Sequence, residues 1–203
     1  MGTVPIIATW QEAGGYLQSL KGTVVGDVRP LVDLPGHAPF AVCREVLSYI
    51  DHLGHLYSGR TGRGQVAERS REYIRDILAK VDANYAKRAG ELYQMFRCGP
   101  VHEFEPKVLE NKNGQLLGWL CYAGLRVDSF DHDGARFSVV HLEPVQSPAP
   151  SRFWLPVSTR CLIDDLMSSI EIFERAGPAD ERITAWNRAG RELALPEPYP
   201  FVP

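Results

Sequence analysis

Phe40-Ala41-Val42-Cys43-Arg44-Glu45-Val46-Leu47-Ser48-Tyr49-Ile50-Asp51-His52-Leu53-Gly54-His55-Leu56-Tyr57, opened by Pro39, is the stretch whose reading decides the fold. Phe40, Cys43, Val46, Leu47, Ile50, Leu53 and Tyr57 recur at helical spacing, so residues 40–57 make a helix with one continuous apolar stripe. Proline at its start suits a first helical turn, where the missing N–H costs nothing. A stripe of that length needs partners, and they follow in the sequence. Residues 65–97 are predicted helical with a break near Asp82–Asn84, and Tyr85, Ala89, Leu92, Tyr93 and Phe96 form the clearest part of the pattern. A third long helix is predicted from about Pro156 to Ala176, with Leu162, Leu166, Ile170 and Phe173 on one face. A shorter one follows at about Ala179–Arg191.

Other segments read differently. Residues 10–20 are interrupted by Gly14 and Gly15 and predict one or two helical turns. Residues 22–39, with Gly26, Pro30, Pro35, Gly36 and Pro39, predict an extended connector. Leu116–Ala123 and Ala135–Val145 are rich in β-formers and flank the acidic, turn-prone stretch Asp128–Gly134, which predicts a β-hairpin or part of a small antiparallel sheet. The fold class is therefore α-dominated α+β. We read one domain over residues 1–203, with a helical core of about 39–107 and 154–192, a β insertion of about 113–147, and a proline-rich tail at 196–203.

Composition bounds the functional classes. The chain has 203 residues, 44% of them hydrophobic, enough for a sizeable core. No apolar run is long enough to span a bilayer, and residues 1–20 lack the basic and apolar regions of a secretory signal, so no membrane association and a cytoplasmic setting are expected. Cys43, Cys98, Cys121 and Cys161 are widely spaced and predict reduced thiols. A net charge of −3 argues against a surface that grips nucleic acid all over. The charge is uneven, however. Arg60 to Arg97 holds nine Lys/Arg against five Asp/Glu, a local +4, which leaves −7 on the remainder. That excess attracts phosphate, although Glu68, Glu72 and Asp76 interleave with Arg71 and Arg75 in the manner of a solvated helix face. In the basic loop Gly59-Arg60-Thr61-Gly62-Arg63-Gly64, Arg60 and Arg63 are candidate RNA contacts. The loop lacks the ending and the flanking strand of a nucleotide-binding P-loop.

The chemistry concentrates in Arg97-Cys98-Gly99-Pro100-Val101-His102, at the stop of the 65–97 helix. A guanidinium offers a fork that matches phosphate oxygens, and an imidazole moves protons near neutral pH, so Arg97 and His102 are the candidate catalytic pair. Arg126–His132 and Arg136–His141 repeat the spacing, but they fall in or beside the predicted hairpin, where no helix end organises them. The stop signals around Arg97 also have a plain structural reading, since an arginine in a last turn complements the helix dipole and Gly99-Pro100 ends a helix.

With its flanks, Leu92-Tyr93-Gln94-Met95-Phe96 before and Glu103-Phe104-Glu105-Pro106-Lys107 after, this segment resembles the HEPN superfamily, helical domains whose nuclease members carry R-x4–6-H at a helix end. The resemblance covers roughly 39–107 plus the 156–176 helix, with Cys98 at a position that is usually polar in the nucleases. It implies a helical bundle and metal-independent endoribonuclease activity of toxin or defence type. His102 would act on the 2′-hydroxyl or the leaving 5′-oxygen, while Arg97 holds the phosphate. A homodimer would set two pairs in one cleft, and RNA and an antitoxin-like protein are the implied partners. The competing reading is a non-catalytic helical module for protein interaction or RNA binding.

Neither a cofactor nor a metal is predicted. Cys98 and His102 lack two further local ligands for zinc. His52 and His55, i and i+3 beside Asp51, have a spacing that suits a metal or a dimer cleft, but we read them as polar-face residues. Asp164-Asp165 is read as the acidic start of a helix, and Trp119, Tyr122, Phe137 and Trp154 as core rather than base-stacking residues.

Overall fold

The structure, a computed structural model, describes residues 3–33, 38–98, 106–132, 134–148, 151–176 and 180–194; of Arg63, Arg97, Cys98, His132 and Ala135 it describes the backbone alone. Its helices are α1 (Trp10–Asp27), α2 (Arg29–Asp33), α3 (Pro39–Ser58), α4 (Val66–Asp76), α5 (Asn84–Leu92), α6 (Thr159–Arg175) and α7 (Asp180–Ala194). Its strands are β1 (Leu109–Glu110), β2 (Leu116–Tyr122), β3 (Val127–His132), β4 (Ala135–Val140), β5 (Val145–Gln146) and β6 (Arg152–Ser158). The molecule is α-dominated α+β.

The central element is α3, which packs against α4, α6 and α7. Of the expected stripe, Cys43, Val46, Leu47, Ile50 and Leu53 are at most 3% exposed, Phe40 and Tyr57 at its two ends are half-buried, and Leu56 joins the buried face. Gly54 lets α4 come close, since a Cβ there would lie 2.5 Å from the Arg69 carbonyl oxygen. The helix ends at Gly59, whose φ of 62° is left-handed and whose N–H donates to the His55 carbonyl. Ala185 of α7 presses on that same glycine.

Around this axis the sequence reading needs three corrections. Residues 10–27 form one 18-residue helix rather than a turn or two, and Arg29–Asp33 is helical rather than extended; residues 34–37 lie outside the described residues. Tertiary burial overrides propensity here. Ala13, Leu17, Leu20 and Val24 bury one face of α1, which packs against α6, and the indole N–H of Trp10 donates to the Glu174 carbonyl at 2.7 Å. Glu12 fixes the first turn by accepting from the Ala8 N–H and the Thr9 hydroxyl.

The second correction concerns the sheet. The expected hairpin partners, 116–123 and 135–145, do not pair. The β2 strand instead pairs with β6 in parallel, from Leu116↔Arg152 to Tyr122↔Ser158, inside a mixed sheet of order β1-β2-β6-β5. The hairpin is β3–β4, and the acidic stretch read as its turn supplies β3 itself. Phe130, Phe137 and Trp154 pack the hairpin onto the sheet, with ring centroids 5.5 to 6.2 Å apart.

Third, residues 152–158 are a strand, so the helix expected from Pro156 begins at Thr159. Ser158 caps it by accepting from the Cys161 N–H at 3.1 Å. The break expected near Asp82–Asn84 extends over residues 77–83 and contains the 3₁₀ turn Leu78–Lys80. The last helix runs to Ala194, and the tail 196–203 lies outside the described residues.

Candidate active site

The helix that begins at Asn84 does not end as an ordinary α-helix. From Tyr93 to Cys98 it widens into a π-turn; at its entry the Tyr93 N–H is still shared between the Ala89 and Gly90 carbonyls. Such turns are rare and occur often at functional positions. Met95 and Phe96, 0% and 1% exposed, hold this one in the core against α3. Arg97 lies in the turn, and its side chain is among those not described. His102 lies in 99–105, outside the described residues. Beyond that segment, Lys107 lies beside the turn: its N–H donates to the Met95 carbonyl at 3.2 Å. The Trp119 indole N–H then fixes the Pro106 carbonyl at 3.0 Å, and Phe40 of α3 packs on that indole at 4.6 Å between centroids. Cys98 and Lys107, described residues on either side of 99–105, are thereby both held at the π-turn.

Two further features border the turn. A groove of about 360 Å³ opens beside Gln94, between α5 and the sheet, lined among others by Arg88, Leu109, Gln115, Leu117 and Phe153. On the α4 side, the Arg71 guanidinium lies over the Tyr93 ring, 5.4 Å from its centroid. Of the two arginines in the basic loop, Arg60 gives its Nε–H to Glu72 at 2.9 Å, and the Arg63 side chain is not described. The loop is tied down rather than free, for the Gly62 N–H donates to Glu192 at 2.9 Å.

Sequence reasoning missed a second polar centre. Arg126 and His141, each set aside with a different partner, belong to one network. The Ser158 N–H donates to His141 Nδ1 at 3.0 Å, so the neutral ring carries its proton on Nε2. That Nε2–H donates to the Tyr85 hydroxyl oxygen at 3.2 Å, and the Tyr85 O–H donates to Asp165 Oδ2 at 2.9 Å. Asp165 Oδ1 accepts from Arg126 Nη2 at 2.5 Å, and Arg126 Nη1 pairs with Asp82. Burial, reinforced by the charge of Arg126, lowers the His141 pKa to about 3, so its 3.8 Å approach to Asp165 is not an ion pair near neutral pH. Burial raises Asp165, with Arg126 opposing, and lifts the Tyr85 phenol well above its ordinary value. His141 and Tyr85 are both 0% exposed. The network is a brace that joins α5, the β3–β4 region and α6, and its histidine is too weak a base and too enclosed for acid–base work.

His52 and His55 are not polar-face residues. His55 is 1% exposed and meets Glu192 through Nε2 at 3.1 Å, while His52 meets the Tyr16 hydroxyl at 2.8 Å. Burial lowers both, His52 to about 4. Asp51 accepts from the buried Ser70 hydroxyl. Asp165 lies within α6 rather than at its start. Cys43 and Cys121, distant in sequence, are neighbours with 3.9 Å between sulfurs, both free. Among the described residues no group of three or more His, Cys, Asp or Glu is placed to hold a metal ion, and no helix is long and apolar enough to cross a membrane. Compared with family models, with curated proteins and with solved structures, the chain matches none of them.

Proposed function

We propose that the protein is a HEPN-like, metal-independent endoribonuclease of toxin or defence type that acts as a homodimer, with Arg97 and His102 as the reactive pair. The observation that carries this reading is the π-turn Tyr93–Cys98 with both flanks of 99–105 pinned to it. The Arg97 backbone is held in a rigid turn, and His102 is five residues from Arg97 on one side and from the anchored Lys107 on the other. Preorganisation of this kind favours a transition state whose charge must be met without rearrangement. His102 would take the proton of a 2′-hydroxyl as its oxygen attacks the adjacent phosphorus. Loss of the 5′-oxygen would leave a 2′,3′-cyclic phosphate and a 5′-hydroxyl end. Arg97 would hold the non-bridging oxygens. The second copy would supply the other proton transfer, and the groove beside Gln94 offers RNA a path along the turn.

The test is incubation of total RNA with the purified protein in EDTA, beside Arg97→Ala and His102→Ala. Wild type should cleave, and each variant should lose about 100-fold or more in rate, the usual worth of a general acid or base. Intact RNA with wild type overturns the reading and leaves the interaction module. Equal cleavage by all three proteins removes this pair from the chemistry.

A further inference from the structure

The basic residues between Arg60 and Arg97 are not equivalent once their partners are known. Arg60 is engaged by Glu72, Arg75 by Glu68 and Arg88 by Glu91. Arg71 differs. The acids beside it on α4, Glu68 and Glu72, are the ones taken by Arg75 and Arg60, and its own contact is the face of Tyr93. Its Nε, like that of Arg69, is buried with no hydrogen-bond partner among the described residues, so an incoming anion meets the outer Nη edge rather than that N–H. Stacking on an aromatic ring fixes the plane of the fork and so orients that outer edge, the geometry used for planar recognition of phosphate. Tyr93 is the first residue of the turn that contains Arg97. A guanidinium stacked on that turn, with no carboxylate partner among the described residues, presents its outer edge to an anion that arrives from outside.

We infer that Arg71 is a phosphate-binding residue that holds a backbone phosphodiester of a single-stranded RNA beside the Arg97 turn. The choice of RNA as the phosphate's source rests on the ribonuclease reading; the binding itself is tested apart from cleavage. Arg71 is a positioning residue, bringing the strand to the turn without touching the bond that breaks.

The probe is a fluorescent 2′-O-methyl RNA oligonucleotide, which lacks the 2′-hydroxyl nucleophile, titrated by anisotropy against the full chain at several salt concentrations. Arg71→Met keeps the alkyl stem and removes the fork. It should weaken binding about 5- to 30-fold and reduce the slope of log K against log salt by about 1. Arg71→Lys should restore the slope and part of the affinity, because it returns the charge without the planar fork. Arg75→Met, which loses a paired arginine on the same helix, should bind as wild type does. Inorganic phosphate in place of the oligonucleotide should bind far more weakly; equal occupancy by phosphate would overturn the assignment to a nucleic-acid backbone. Circular dichroism and the melting temperature verify that the Met variants are folded, and should Arg71→Met fail to fold, the salt slope and affinity of Arg71→Lys decide. An unchanged slope and affinity in Arg71→Met overturns the proposal, as does a wild type that does not bind the probe. The two readings fail separately. Arg71-dependent binding without RNA cleavage sinks the nuclease and keeps this site, whereas cleavage with Arg71-independent binding does the reverse.

Discussion

Asp165 is the residue on which the buried network turns. It is 3% exposed and accepts from both the Tyr85 hydroxyl and Arg126. Replacing it by Ala leaves the Tyr85 O–H and one face of Arg126 unmatched. Arg126 is partly solvated, so the loss should fall at the lower end for a broken buried pair, about 2–3 kcal/mol in urea denaturation. Tyr85→Phe should cost about 1–3 kcal/mol, because it orphans the His141 Nε2–H. The histidines set the pH response. His141 and His52 are held neutral down to about 3 and 4, whereas in the unfolded chain they protonate near 6.5. The unfolded state therefore binds more protons below pH 6.5, and stability falls as pH falls through that window. At pH 5 each should cost about 2 kcal/mol, so the melting temperature should drop by roughly 10 °C from pH 7.5, with Asp165, raised in the fold, opposing weakly. A flat melting profile between pH 7.5 and 5 would contradict this account of the two rings. None of the network was legible at residue level. A sequence pattern pairs residues by spacing, so it joined Arg126 to His132 and Arg136 to His141; the fold joins Arg126 to His141 across α6.

At the scale of elements, α3 and its stop were legible because period and cap agreed. The α1 helix was not, since four glycines lower its intrinsic propensity and it is tertiary contact with α6 and α7 that offsets this. The β6 strand was hidden by Pro156, which reads as a helix start. Proline is tolerated there because the β5 ladder reaches only Phe153 and Trp154, and beyond it the Leu142 N–H donates to the Pro156 carbonyl, a bond that needs no proline N–H. The π-turn had no sequence signal at all, as its stop residues are those of any helix. Glycines in these helices give opposite expectations. Gly54→Ala would drive a Cβ to 2.5 Å from the Arg69 carbonyl and should destabilise by about 1–3 kcal/mol as α3 and α4 separate. Gly15→Ala in α1 meets nothing within 4 Å and should stabilise by about 0.5–1 kcal/mol. Denaturant midpoints of the two variants should move in opposite directions; a shift in the same direction would mean that close packing at Gly54 is not what selects the glycine.

For the whole molecule, residues 5–7 and helix α7 are stitched together. The Ile7 N–H donates to Asn187 Oδ1 and the Asn187 Nδ2 donates to the Ile7 carbonyl, both at 2.8 Å, while the Trp186 indole N–H reaches the Pro5 carbonyl at 2.9 Å. Trp186 is 0% exposed and stacks edge-on with Trp10 and Tyr16. Trp186→Ala should therefore cost about 3–5 kcal/mol and expose the α1 face as well as its own. Timing follows from this seam. A ribosome delivers about 5–20 residues per second, and the partners of Ile7 and Pro5 lie 180 and 181 residues further along the chain. Until they emerge α1 has no lid over Trp10 and Tyr16. The nascent chain must carry that apolar face open until Trp186 and Asn187 have left the exit tunnel, an interval in which the uncovered rings are a surface for a chaperone to hold.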